Sequence, residues 1–330
     1  VISDTKDITI KPRLFNDDTL VLQNEYRQKT KKSLTVVDFS MTKNHDYSVN
    51  QKGTRTHFFA NSKIDLDLNK YINSGLEINL EKISNDNYLK IFKLEGPLLL
   101  KDNSSLESQI EINLEHENFD FTTSVEMYET LNGSNSDRYQ YVLPSYSFSK
   151  NFDFENINGS FNFGSSGNNT LSNTNVITSR ISNNFNYSSL DFFFDNGIKT
   201  NFNIFTKNIN SIGKNHATYK NSPQSELMSS YSYDTSLTLR KINQDSINTL
   251  MPRLSFRVSP HEMKNHSATG RRINIDNIFS SNRLGLGDSF ETGESVTVGV
   301  DFFKEKKSTK KDNISKNEII EIEKYLDFKL

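Results

Sequence analysis

Polar and apolar residues alternate with a period of two through most of this chain. In Asp7-Ile8-Thr9-Ile10-Lys11-Pro12-Arg13-Leu14 the apolar side chains fall at even positions. Ile110, Ile112 and Leu114 alternate with Gln109, Glu111 and Asn113, and Phe119, Phe121 and Val125 are set against Asp120, Thr122 and Ser124. Tyr231, Tyr233, Leu237 and Leu239 continue the pattern, as do Leu250, Leu254, Phe256 and Val258, and finally Val296, Val298, Val300 and Phe302. Successive side chains of a strand point to opposite faces, so this alternation predicts strands with one apolar and one polar face. The segments run about 9–14 residues, against roughly 5–6 for an average globular strand. Turn-forming stretches separate them: Asn16-Asp17-Asp18, Asn73-Ser74-Gly75, Asn132-Gly133-Ser134-Asn135, residues 164–169 and residues 241–245. Short and long connectors alternate loosely, and about 15 or 16 strands are expected. A helical period is visible only where Ile319, Ile320 and Ile322 follow a Lys/Asp/Asn run, in a segment short enough to be a loop.

Composition decides what those two-faced strands are for. Only 34% of the 330 residues are hydrophobic, and no run approaches the roughly 18 apolar residues of a membrane helix. Yet 24 Phe and 13 Tyr are too many aromatics for a disordered chain. A transmembrane β-barrel reconciles these facts. Each strand turns one face to lipid and the other to a wet lumen, so half its residues can be polar. Closure satisfies every backbone group, as the bilayer interior requires. The fold class expected is therefore all-β, a large antiparallel transmembrane barrel, with Tyr and Phe near strand ends serving as interfacial girdles.

Charge and chemistry add mainly exclusions. The net charge of −2 argues against nucleic acid, which calls for a basic face. The absence of Cys removes disulfides and thiolate metal sites from this chain. Asp65-Leu66-Asp67-Leu68-Asn69 resembles the start of a calcium loop, but the positions that need Gly and Glu hold Lys70 and Leu76. His45, His57, His116, His216, His261 and His266 show no metal spacing, so no metal or cofactor is expected. Ser, His and Asp are all present, but no motif joins them into a catalytic set. The run Lys304-Glu305-Lys306-Lys307-Ser308-Thr309-Lys310-Lys311-Asp312 reads as a solvated loop. Proline lacks a ladder donor and belongs at an edge, strand end or bulge. Pro144 and Pro252 are expected at strand ends. Pro12, inside an alternating segment, marks either a strand end or a weak pairing of the first strand with a neighbour.

Several phrases, in order along nearly the whole chain, resemble the LptD family of LPS-assembly proteins, the outer-membrane translocons for lipopolysaccharide. Ile2-Ser3-Asp4-Thr5-Lys6-Asp7-Ile8-Thr9-Ile10-Lys11-Pro12-Arg13 resembles that family's entry into its first barrel strand, and Leu22-Gln23-Asn24-Glu25-Tyr26-Arg27 its second. Asn87-Tyr88-Leu89-Lys90-Ile91-Phe92 with Leu106-Glu107-Ser108, and Tyr139-Gln140-Tyr141-Val142-Leu143-Pro144, are similar to later segments. The most specific stretch places Asn277, Phe279, Asn282, Arg283, Gly287, Asp288, Glu291 and Gly293 in register with the family's Asn-Leu-Phe … Asn-Arg-Phe-x-Gly-x-Asp-Arg-x-Glu-x-Gly pattern. The family's barrel has about 26 strands, in the upper part of the known range. Residues 1–330 would then be one portion of that barrel, without the periplasmic jelly-roll domain and about ten last strands. The cysteines that often tie barrel to jelly roll are not in this portion.

The resemblance implies no enzyme chemistry. It implies passage of lipopolysaccharide through a polar lumen and a lateral gate between first and last strands, with Ile8, Ile10 and Pro12 in the gate wall. The partners implied are lipopolysaccharide, an LptE-like lipoprotein plug, periplasmic bridge proteins driven by an inner-membrane ATPase, the barrel-assembly machinery and outer-membrane lipids. The location implied is the cell outer membrane. Two other readings fit the alternation: a general diffusion porin, which about 16 strands would complete, and a soluble or secreted all-β adhesin. Membrane extraction separates them. The barrel readings predict that the protein needs detergent and migrates differently in gels before and after boiling; solubility without detergent and no such shift would point to the adhesin.

Overall fold

The computed structural model describes residues 2–15, 19–46, 52–99, 104–131, 137–152, 157–262, 270–311 and 318–330. The expected turns at residues 16–18 and 132–135, and His266, lie outside the described residues. The elements are β1 (Lys6–Leu14), β2 (Leu20–Lys29), β3 (Ser33–Asp46), β4 (Lys52–Asp65), β5 (Asn73–Ile83), α1 (Tyr88–Ile91), β6 (Ser105–His116), β7 (Phe119–Thr130) and β8 (Tyr139–Phe152). They continue with β9 (Gly159–Ser172), β10 (Val176–Ser189), β11 (Phe192–Phe193), β12 (Ile198–Lys214), β13 (Gln224–Leu237), β14 (Leu239–Ile242), β15 (Ser246–Ser259), β16 (Gly293–Lys311) and β17 (Glu318–Lys329). The all-β expectation holds, with seventeen strands among the described residues rather than 15 or 16. The two extra are slight: β11 has 2 residues and β14 has 4.

The chain divides into two compact units. The first holds residues 1–150, 164–182 and 210–224. In it β1 to β8 run as an antiparallel meander, each strand paired with the next. The connectors alternate in length: residues 117–118 between β6 and β7, but residues 84–104 between β5 and β6. In barrels of this kind the longer loops are the extracellular ones. The second unit holds residues 151–163, 183–209 and 225–330. There β15 pairs antiparallel with β13, β14 and β16, and β16 with β17.

Each unit has the same inside-out arrangement. In the first, Phe39 and Phe58 lie opposite each other on the exposed face, and so do Ile110 and Val125. The next pairs along, Asp38 with Phe59 and Ser40 with His57, face the other way and are buried. In the second, the exposed pairs are Phe256 with Val296 and Leu254 with Val298, while Ser255, Thr297 and Arg257 are buried. A water-soluble sheet would hide the first set and show the second. The arrangement is stable only if the exposed apolar face meets lipid. Rings gather at strand ends as girdles should: Tyr71, His116, Phe119 and Phe148 form a chain of ring contacts at one end of β6–β8, and Phe192, Phe193 and Phe194 stand exposed beyond β10.

Several expectations change. Residues 164–169, expected as a turn, lie inside β9, and Asn73-Ser74-Gly75 opens β5. Residues 304–311, expected in a solvated loop, lie inside β16, because β15 and β17 pair with them. Pro144 and Pro252 are inside strands, not at their ends. Pro144 falls where the β7–β8 register shifts, between the pairs Ser124–Ser145 and Glu126–Val142, so no regular ladder bond is asked of it. Pro252 lies opposite the break between β13 and β14, where only β16 partners it, through Val300. The segment around Ile319, Ile320 and Ile322 is strand β17, not a helix or loop, because it pairs with β16, and β-branched residues suit a strand. The one helix among the described residues is instead the four-residue α1.

Val298 is 76% exposed. On a water-facing surface, Val298→Arg would shift stability by no more than about 0.5 kcal/mol. On a lipid-facing one it should cost about 2–4 kcal/mol near the bilayer midplane. Urea unfolding of the full-length protein in lipid vesicles measures the difference.

Candidate functional site

The polar inner face of each unit is covered by one of the chain's own connectors. In the first unit the cover is the described part of the β5–β6 connector, residues 84–99. It turns through α1, whose last bonds run from Ile91 N to Asn87 O and from Phe92 N to Tyr88 O. It then reverses at Lys93, which holds a left-handed φ of 46°. Gly96 follows, so close to β3 that a Cβ there would lie 2.1 Å from Asp38 Oδ2; only glycine fits. Tyr88, Phe92, Leu94 and Leu99 pack on Val21 and Phe59, each buried side chain contributing about 1.5–3 kcal/mol.

Under this cover lies a closed polar cluster. Gln23 Nε2 donates to both Asp38 carboxylate oxygens at 3.0 Å and to the Glu95 carbonyl at 3.1 Å. His57 Nε2 lies 2.9 Å from Asp38 Oδ1, Ser40 Oγ 2.6 Å from His57 Nδ1, and Tyr88 Oη 2.7 Å from Ser40 Oγ. With Asp38 as a carboxylate acceptor, a consistent set of donors runs from Tyr88 to Ser40 to His57 and from His57 to Asp38. Ser, His and Asp within hydrogen-bond reach would suit nucleophilic catalysis. Here, however, Ser40 and His57 are each only 2% exposed, and the Tyr88 hydroxyl occupies the serine oxygen, so no ester can approach while the connector is seated. What the cluster does is hold the connector to β2, β3 and β4. A further tie comes from β1: Arg13 Nη1 donates to the carbonyls of Lys93 at 2.7 Å and Phe92 at 3.4 Å. Arg138, just before β8, binds Asp86 at the start of the connector and Glu129. The bond to Asp86, partly opposed by burial and reinforced by Glu129, raises the Arg138 pKa above its ordinary value.

Toward the short turns at residues 30–32 and 117–118, the same unit has an open cavity of about 780 Å³. Lys63, Glu77, Asn113, Glu115, Asp120 and Thr122 are among its lining residues. Its lining carries both signs of charge.

In the second unit the cover is the β15–β16 connector, described at residues 260–262 and 270–292. It brings most of the residues singled out in the sequence together. Arg283 grips Glu291 with two bonds, Nε at 2.8 Å and Nη2 at 2.7 Å. Arg257, inside β15, lies 3.3 Å from the same carboxylate, donates to the Glu291 carbonyl at 2.6 Å and reaches Ser230 Oγ at 3.2 Å. Asn282 closes a turn with two bonds to the Leu286 backbone, and Asn277 does the same service for Arg272 and Asn274. The Arg253 guanidinium lies over the Phe279 ring, 4.1 Å from Cζ to the ring centre, and the ring is close to Gly299, where a Cβ would meet it at 2.7 Å. The Gly287 carbonyl receives Lys207 Nζ. Gly293 takes a φ of 97°, open to glycine, where β16 begins. Asp288 is exposed.

Ile8, Ile10 and Pro12 belong to the first unit, on the outward face of β1, and do not join that group. The inner cluster of Gln23, Asp38, Ser40, His57 and Tyr88 was not singled out from sequence. Its signal was present in the strict alternation of Asp38, Ser40 and Thr42 with Val37, Phe39 and Met41, but alternation says which residues share a face and not what will cover them. Among the described residues no cluster of metal ligands occurs.

Glu291 balances two buried guanidiniums. Removing one partner of such a pair leaves an uncompensated buried charge and costs about 3–5 kcal/mol. Glu291→Ala should therefore lower unfolding stability in vesicles by that amount, and Glu291→Gln by less because an acceptor remains.

A family model, LptD: LPS transport system D, matches residues 53–312, from within β4 to just past β16. No curated protein matches the chain. The matched stretch includes both inner covers and all of the 277–293 group, and leaves Ile8, Ile10 and Pro12 before its start. The apolar outer face, the polar inner face and the strand-only crossing agree with what this family is: outer-membrane β-barrels that transport lipopolysaccharide. The chain belongs to the LptD family, LPS transport system D.

Proposed function

We propose that this chain forms the part of a lipopolysaccharide translocon in which the polar lumen meets the exit into the membrane. The charged sugars travel along the inner face, with the 780 Å³ cavity on their path, and the acyl chains leave sideways at β1. Ile8, Ile10 and Pro12 form that wall. The work is passage and release, with no covalent step. The partners that fit are lipopolysaccharide, the periplasmic bridge that delivers it, a lipoprotein plug of the LptE kind and the barrel-assembly machinery.

The observation that carries this reading is the direction of the Pro12 nitrogen. The β1–β2 ladder is bracketed by the bond from Phe15 N to Thr19 O and that from Lys29 N to Thr5 O. Hydrogen-bonded pairs alternate in an antiparallel ladder, so odd residues of β1 bond to β2 and even residues point away. Pro12, opposite Leu22, is even. Its missing donor is therefore taken from the edge facing away from β2, and the β1–β2 pairing is left whole. A weakened outer edge is what a lateral seam needs.

Pro12→Val in the full-length protein restores that donor. Surface lipopolysaccharide should fall and antibiotic permeability should rise; unchanged values of both would count against a seam at β1.

A further inference from the structure

We propose that the lipid-facing side of β5–β8 carries at its outer rim a binding site for the phosphorylated sugar head of lipopolysaccharide already resident in the membrane. The inference rests on that face meeting lipid in the outer membrane. It does not need the exit at β1, so the two stand or fall separately.

Register places the site. Phe58, exposed on the outward face, lies opposite Lys82. Ile110 and Val125 are an outward pair, and at the same phase of the alternation Leu106 lies opposite Glu129. Glu129 in turn lies opposite Tyr139, and Met127 opposite Tyr141. Lys82, Glu129, Tyr139 and Tyr141 therefore share the outward face. They sit at the end of the sheet that carries the long β5–β6 connector, the extracellular end of such a barrel.

A lipid-facing surface has little use for charge, yet Glu129 is only 2% exposed there. Lys82 Nζ donates to it at 2.8 Å and Arg138 Nε at 2.7 Å. Tyr139 Oη donates to it at 3.2 Å and accepts from Lys82 at 3.3 Å. Arg138 also grips Asp86. Two cations and two carboxylates balance, so the set persists without a ligand, but it does not fill its space. A cavity of about 610 Å³ opens among these side chains, with Asn85 and Asn87 also on its wall, and the Lys82 side chain is 55% exposed. The cations suit phosphate. The carboxylates repel a bare phosphate and accept from hydroxyls, so they favour a head that brings both. Tyr139 and Tyr141 stack with ring centres 6.3 Å apart, a flat face for a sugar ring. Toward the midplane, Leu80, Ile110 and Val125 continue the same face as exposed apolar surface. A lipid with phosphorylated sugars above and several acyl chains beneath matches that order.

The test uses full-length protein with a photo-reactive phenylalanine analogue in place of Tyr141, reconstituted in phospholipid vesicles that contain lipopolysaccharide. Heat-shifted gel mobility first confirms that each variant is folded. No delivery machinery is present, so an adduct reports lipid taken from the bilayer. Illumination should yield a lipopolysaccharide adduct. At sub-saturating lipopolysaccharide, Lys82→Gln should lower its yield about tenfold, the loss expected for a charge-assisted bond, and Lys82→Arg should restore most of it. Lipopolysaccharide stripped of its phosphates should give a similarly weak adduct, indifferent to Lys82→Gln. No lipopolysaccharide adduct, one no stronger mole for mole than that with the surrounding phospholipid, or a yield unmoved by Lys82→Gln overturns the site. Displacement by the deacylated, water-soluble saccharide at equal concentration also overturns it, because the occupant is then not a membrane lipid. None of these results depends on Pro12, whose substitution tests the exit at β1.

Discussion

Inside a bilayer no water waits to bond an open amide, and this chain is organised by that fact. A strand can cross only if its neighbours take every N–H and C=O. The antiparallel ladders running from β1 through β8, and through β13 to β17, are how that demand is met. Once the backbone is committed to ladders, side chains have only two directions, and the period of two in the sequence decides which of them meets lipid. Exceptions to the ladder then carry information. Pro144 sits at a bulge and Pro252 beside a break, where no donor is called for. Pro12 sits in an unbroken ladder with its nitrogen aimed at the edge away from β2.

The same constraint sets the problem inside. A polar inner face must stay wet or find partners, because an unpaired buried polar group is costly. Near the cavity it stays open. Elsewhere two connectors supply partners, and they do so differently. The β5–β6 connector brings mostly apolar side chains and backbone carbonyls, which accept from Gln23 and Arg13. The β15–β16 connector brings a carboxylate, Glu291, to a face that already carries Arg257. The first is held by apolar contacts, a linked hydrogen-bond network and the Arg138–Asp86 pair. The second is centred on a buried ion pair, whose separation leaves charges stranded.

Much of this was legible before any coordinates. Alternation gave the strands and their faces, and the family resemblance rested on phrases in order along nearly the whole chain, of which residues 277–293 were the most specific; their Arg283 and Glu291 do meet. What sequence left hidden was hidden for physical reasons. Ile319, Ile320 and Ile322 have a spacing that either a helix or a strand permits, and pairing with β16 decided it. Two interior prolines were misplaced because their tolerance depends on what a neighbouring strand does at that height. The cluster under the β5–β6 connector joins residues 23, 38, 40, 57, 88 and 95, which no local pattern connects.

The central claim is that lipopolysaccharide passes along the polar inner face of these strands. Asn113 lines the cavity on that face, away from membrane lipid. A photo-reactive amino acid placed there in the full-length protein, illuminated in growing cells, tests the claim most directly. The account predicts a covalent lipopolysaccharide adduct at position 113 that vanishes when periplasmic delivery is shut off. Absence of any adduct in cells that are still exporting lipopolysaccharide would contradict it.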